Sequence, residues 1–304
     1  MRVTLLGPQR RPTLDTVAAS LYPDGPIATI TAGWREREPD DGELGKLLGS
    51  RDVNLRLHRR WLDAQERDPE LALGERKLAA VLDELQDLYL LRLDHALRAV
   101  YAVQRRSGSQ RLRASVLAEA VDAVRELDAA HLRRVSAIRS EFYHRLQPHD
   151  RPVIAGHRAE VAGLLRDATA VVVAGGHVGV LADVLHLFNI AASLRSPVIA
   201  WSAGAMALTD RIVLFNDRAP QGPGHPEVYS TGLSVLRTMV VLPHASARLL
   251  LGDTPRMAVF ARRFAPARCV LLEQGARVDI DGGDGPPGAR VLAEDGHVTT
   301  LEAA

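Results

Sequence analysis

The sequence predicts an α/β protein in which a parallel sheet is interrupted by a large inserted α-helical hairpin. Three observations predict it. Ala170–Ala174 and Val198–Trp201 are apolar runs without alternation, as expected of central parallel strands covered on both faces. Each run breaks at once into small residues and then into a helical pattern, so strand and helix alternate. Between residues 61 and 150 that alternation stops, and only helical periodicity remains.

In chain order, Val3–Leu6 reads as a strand and Thr13–Leu21 as a helix that Thr13 starts. Ile27–Ala32 is a second strand ending at Gly33-Trp34, and Arg35–Gly42 is charged and turn-rich. Glu43–Leu48 is a short helix and Val53–Leu57 a third strand. Leu78, Val81, Leu82, Leu85, Leu88 and Tyr89 then follow the i, i+3, i+4, i+7 spacing of an amphipathic helix. Leu117, Val121, Val124, His131, Val135, Ile138 and Phe142 do the same on a second helix, with a polar turn over Arg105–Arg111. The expected organisation is an α/β domain of residues 1–60 and 151–304 and a helical insertion of residues 61–150. Such a long apolar strip needs cover, from its own core or from a homodimer interface.

After the insertion, Ala159–Arg166 is a helix leading to the Ala170–Ala174 strand, and Val180–Ala192 a helix beyond it. Ile212–Phe215 is a short strand, followed by a Pro/Gly-rich loop over Asn216–Val228 that is placed to wall a site. Thr238–Leu242 is a strand, Met257–Phe264 a helix, and a strand surrounds Cys269. The tail from Asp279 reads as a turn and a small hairpin. Asp281 and Asp284 among glycines faintly suggest a calcium loop, but their spacing fits no EF-hand and an ordinary turn is expected.

The chemistry concentrates at two strand ends. Val198–Trp201 stops at Ser202, and Ala203, Gly204 and Ala205 follow before a helix opens. That is the layout of a nucleophile elbow, which exposes one hydroxyl on a crowded strand-to-helix turn. The G-x-S-x-G form is not met, and a buried strand running into a polar turn is the competing reading. The second strand end is Gly175-Gly176-His177, where tight backbone turns present N–H groups at a helix start. A phosphate cradle competes there, but neither Gly-Lys-Ser/Thr nor G-x-G-x-x-G spacing is present. Loops after parallel strands share one sheet edge, so both turns can face one pocket.

The ordered set of Ala174-Gly-Gly176, Trp201-Ser-Ala-Gly-Ala-Met-Ala-Leu208 and Gly232-Leu-Ser-Val-Leu236 ahead of a histidine resembles peptidase family S51. That family holds dipeptidase E and cyanophycinase, within the class I glutamine-amidotransferase-like superfamily. The resemblance spans roughly residues 153–280. It implies a three-layer, flavodoxin-like sandwich and a Ser-His-Glu triad of Ser202, His244 and Glu273. It also implies an oxyanion site from Gly176 and Ala203 N–H, beside Gly175. An imidazole activates a serine hydroxyl, and a carboxylate holds the ring tautomer. His177 stands where relatives carry an amide. Arg248 and Arg256 are candidate cations for an acidic substrate group.

Asp253 and Glu227 are reserve acids, and His225 an alternative base in a Pro/Gly loop. No His-x-Glu follows the elbow, and Cys269 lies inside an apolar strand, which disfavours amidotransferase activity. The expected activity is hydrolysis of a small peptide or amide without metal or cofactor. A non-catalytic scaffold that binds a partner through the helices, and a hydrolase or acyltransferase of other acyl substrates, are the alternatives. A metal site from Asp94, His95, Asp128 and His131 competes with solvated or partner-facing side chains.

Composition bounds the rest. The 304 residues are 46% hydrophobic and 25% charged, ordinary for a globular chain. A net charge of +1 gives no field to attract nucleic acid or an acidic membrane. No apolar run has the length to cross a bilayer, and the first residues read as a strand rather than a signal peptide. One cysteine suits a reducing compartment, so the cytoplasm is expected.

Overall fold

Val3–Leu6 is apolar and bounded by a turn (Gly7-Pro8), so it enters a sheet. The strand is β1 (Arg2–Leu6), leading to α1 (Leu14–Leu21) and β2 (Ile27–Ile30). A 3-10 turn over Ala32–Arg37 precedes α2 (Gly42–Leu47) and β3 (Asp52–Asn54). Three helices follow: α3 (Leu57–Arg67), α4 (Pro69–Arg105) and α5 (Gln110–Leu146). The chain then forms α6 (Pro152–Asp167), β4 (Ala170–Val173), α7 (Val178–Leu187), α8 (Ile190–Ser193), β5 (Val198–Trp201) and α9 (Ala203–Ala207). Next come β6 (Arg211–Leu214), β7 (Glu227–Thr231), β8 (Met239–Pro243), α10 (Ala245–Arg248) and α11 (Thr254–Phe264). β9 (Arg268–Leu272), β10 (Arg277–Asp281), β11 (Arg290–Leu292) and β12 (Val298–Thr300) complete it. The structure is a computed structural model and describes residues 1–220, 224–281 and 287–302.

The main sheet runs β10-β1-β5-β4-β2-β3. Its strands pair in parallel except β10, which pairs antiparallel with β1. Side chains alternate between two cores. Val3, Leu5, Val171, Val173, Val198 and Ala200 share one cluster with α3, α6 and α7 residues. Leu6, Ala170, Val172, Ile199 and Trp201 share the other with Leu14, Val17 and Leu44 from α1 and α2. Apolar residues point both ways, which is why these strands show no alternation. β4 and β5 are neighbours, so the glycine turn and Ser202 leave the same edge.

The strands before His244 and Glu273 lie in a second sheet, ordered β12-β11-β9-β8, with β8 and β9 parallel. β6 and β7 form a separate hairpin. Several boundaries differ from expectation, among them the Val180–Ala192 helix, which breaks at the left-handed Asn189 (φ 52°) into α7 and α8. β3 ends at Asn54 because Arg56 turns left-handed (φ 52°) and α3 opens at Leu57. Glu227–Thr231 is a strand, not the end of a loop. Asp279 lies in β10, an edge strand of the main sheet rather than part of a tail turn. Asp284 and Gly222 lie outside the described residues.

The long helices have local causes. Asp68 accepts a hydrogen bond from Leu71 N, and Pro69 pre-sets the first turn of α4. Ser109 caps α5 through Leu112 N, and Gln147 ends it left-handed. The Leu146 side chain of α5 lies over Gly74 of α4, its Cδ1 2.0 Å from where a Cβ would stand. Leu93, Leu97, Val100, Val121 and Val124 pack with β8, β9 and α11.

One buried polar network ties that packing together. Arg263 donates to both Asp128 carboxylate oxygens (2.6 and 2.7 Å), to Tyr89 OH (2.9 Å) and to Pro226 O (2.6 Å). Tyr89 OH donates to Asp128 and accepts from Val228 N. The bidentate pair therefore joins α4, α5, α11 and the start of β7. Among the described residues no helix is long and apolar enough to cross a membrane.

Candidate active site

Ser202 closes β5 with φ 50° and ψ −122°, a region that non-glycine residues sparsely populate. Glycines permit the crowding around it. A Cβ on Gly204 would meet Val173 O at 2.2 Å, so only glycine lets α9 start against the end of β4. A Cβ on Gly175 would meet the Ser202 Cβ at 2.9 Å. Gly176 (φ 124°) lies against Gly33, whose carbonyl accepts the His177 N–H at 2.7 Å. Turns after β2, β4 and β5 thus converge on the serine.

His244 follows β8 and also sits left-handed, at φ 57° and ψ 34°. Its Nε2 lies 3.5 Å from Ser202 Oγ, at the long limit for a hydrogen bond. Burial pushes its pKa below the ordinary histidine value, and the charges of Arg248 and Arg10 push the same way; Glu273 opposes them weakly. The ring is therefore neutral near pH 7, the form that can accept a proton.

Glu273 does not orient that ring. Its Oε1 accepts from Ser246 N (2.7 Å) and Ser246 Oγ (2.6 Å). No hydrogen bond joins it to His244 among the described residues. The carboxylate instead satisfies a free N–H in the first turn of α10, a general use of carboxylates at helix starts. Ser202 and His244 thus approach each other at 3.5 Å, with the Glu273 carboxylate held to one side by Ser246.

His177 caps α7, its Nδ1 accepting from Val180 N at 3.2 Å. Neither Gly176 N–H nor Ala203 N–H donates to a main-chain carbonyl among the described residues. The reserve groups lie elsewhere. Asp253 caps α11, Glu227 accepts from Gln86, and His225 lies 3.4 Å from Asp94. Arg256 is corrected as a substrate cation: Asp217 holds it at 2.6 Å. Asp128 is taken by Arg263, His131 stacks on Tyr89, and Asp94 pairs Arg98. The buried Cys269 thiol has a pKa pushed up to about 12 by desolvation, which keeps it protonated.

Ser202 and His244 open into a cavity of about 800 Å³ with Gly175, Gly176, Ala203 and Arg248 in its wall. Arg10, Arg37, Trp34 and Trp201 line it too. Sequence reasoning missed Arg10 and Arg37. The available signal was position: both follow the carboxyl end of a strand in the parallel sheet, where ligands bind.

No protein-family model matches this chain, and neither does any curated protein. Solved structures that resemble it include a peptidase from an acI-B1 Actinobacterium, 14% identical over 99% of this chain and 94% of that one, with a TM-score of 0.46.

Proposed function

We propose that the protein is a serine hydrolase that cleaves a peptide or amide bond through an acyl-enzyme on Ser202. The observation that carries the reading is the approach of His244 Nε2 to Ser202 Oγ (3.5 Å) on a strained elbow. Ser202 Oγ attacks the substrate carbonyl carbon while His244 Nε2 takes the hydroxyl proton. The oxyanion is stabilised by Gly176 and Ala203 N–H. Collapse breaks the C–N bond, and His244 returns its proton to the leaving amine. Water, activated by the same ring, then hydrolyses the ester. This chemistry calls for no metal or cofactor.

The fold assignment that accompanies this reading is the amidotransferase-like three-layer sandwich of peptidase family S51, with residues 61–150 as the inserted helical part. Glu273 acts on His244 through its charge and by capping α10, not as a hydrogen-bonded third member. Arg248, Arg10 and Arg37 outnumber Glu43 in the cavity wall, although Asp40 pairs with Arg37, and this excess favours a carboxylate-bearing substrate. The position of Glu273 favours a second reading, a scaffold that keeps the site but turns over nothing.

Fluorophosphonate labelling read by intact mass separates the two. One adduct on the wild type, absent from Ser202→Ala and strongly reduced in His244→Ala, is expected. A folded wild type that gains no adduct at neutral pH, even with small probes, sinks the hydrolase reading.

A further inference from the structure

The outer face of α4 carries four large apolar side chains open to solvent: Leu73 at 47%, Val81 at 47%, Leu88 at 56% and Leu91 at 59% exposure. The same helix buries Leu71, Leu93, Leu97 and Val100 inward, so the outer stripe is a second apolar face. Soluble chains rarely leave such a stripe uncovered.

The charges beside it point to what covers it. Leu73, Lys77, Ala80, Glu84, Asp87 and Leu91 step by four and three residues, the alternation of a coiled-coil seam. All six are exposed. Two of its three residue pairs match when the row is reversed, one apolar and one of opposite charge. About Leu82 as centre, Leu73 is mirrored by Leu91, Lys77 by Asp87 and Ala80 by Glu84. Lys77 and Asp87 make no ion pair within the chain among the described residues, so both are available. A parallel arrangement would instead set Lys77 against Lys77 and Asp87 against Asp87, and like charges facing each other are repelled.

We infer that this face of α4 is an antiparallel, two-fold interface with a second copy of this chain. The two helices pair with Leu73 against the partner's Leu91 and Lys77 against the partner's Asp87, each contact occurring twice. Val81 of the two copies meets near the axis. The partner's Leu88 arrives beside Gly74, at a groove of about 350 Å³ between α4 and α5 floored by Leu78, Ile138 and Phe142. Lys77, Glu84 and Asp87 make half of this row charged, so the pairing is weaker than an apolar seam and its register follows from the charges. The inference does not depend on the hydrolase reading, because its measurement is mass and not activity.

Sedimentation velocity at low salt over micromolar concentrations is the experiment. The wild type is expected at twice the chain's mass. Lys77→Asp and Asp87→Lys should each weaken association by about tenfold or more, since each sets like charges together twice. The double variant Lys77→Asp/Asp87→Lys should recover it, because the pair is swapped and not lost. A Leu73→Cys/Leu91→Cys chain should cross-link into dimers on mild oxidation, with the buried Cys269 unreactive. A wild type that is monomeric throughout overturns the inference. So does a dimer that neither single charge swap weakens, or one weakened by both with no recovery in the double variant.

Discussion

Glu273 accepts two hydrogen bonds from Ser246, through N at 2.7 Å and Oγ at 2.6 Å, and none from His244. One carboxylate oxygen thereby holds the first turn of α10, the helix that His244 precedes. Glu273 fixes where the histidine's backbone goes, while its charge acts on the ring from a distance. A depressed His244 pKa follows, since burial and two arginines outweigh one distant carboxylate.

The acid limb of the kcat/KM profile is therefore expected below the ordinary histidine value. The proposed mechanism requires the neutral ring, so activity should rise as His244 loses its proton. Arg248→Ala removes a positive charge that disfavours the imidazolium, and moves the limb to higher pH. Glu273→Gln removes the opposing negative charge and moves it lower. NMR titration of the His244 ring reads the same shifts in protein without substrate. Limbs that stay put in both variants contradict this electrostatic account.

Ser202→Gly is expected to stabilise the fold while abolishing labelling. Glycine adopts φ 50° and ψ −122° without the strain a side chain meets there, worth about 1–3 kcal/mol. The larger chain entropy of glycine in the unfolded state offsets part of it, so a gain of about 1 kcal/mol in urea unfolding is expected. Ser202→Ala keeps the strain and should gain little. Equal stability of the glycine and alanine variants would mean the elbow stores no strain.

Asp128→Ala should cost about 3–5 kcal/mol, because it leaves the Arg263 guanidinium buried without its anion. Both side chains are nearly inaccessible to solvent. A paired Asp128→Leu/Arg263→Met variant should recover much of the loss, since no charge remains to be desolvated. Urea denaturation of the three chains checks this. A single variant as stable as the wild type would mean that water reaches the network.

The elbow was legible because its causes are local. Val198–Trp201 must be buried on both faces, and Ala203-Gly204-Ala205 are what a crowded turn tolerates. The helical pair was legible because leucines and valines at helical spacing continue for many turns. The strand at Glu227–Thr231 alternates intermediate and buried residues, a period-two signal obscured by the adjoining prolines and glycines. Arg10 carries no local mark. Only its place after β1, at the edge where β4 and β5 also end, brings it beside His244.

By itself the sequence determined most of the segments that become strands and helices, and that Ser202 and the Gly175-Gly176 turn follow strands of one parallel sheet. Those outcomes depend on the burial period, residue size and backbone freedom of neighbours in the chain. The tertiary structure alone decided that His244 and Glu273 rise from a second sheet, that Ser246 takes the Glu273 carboxylate, and that Asp217 takes Arg256. Each of those is a choice among several partners of matching charge or hydrogen-bonding capacity. Such a choice follows from which groups packing brings within about 3 Å, a distance no spacing along the chain encodes.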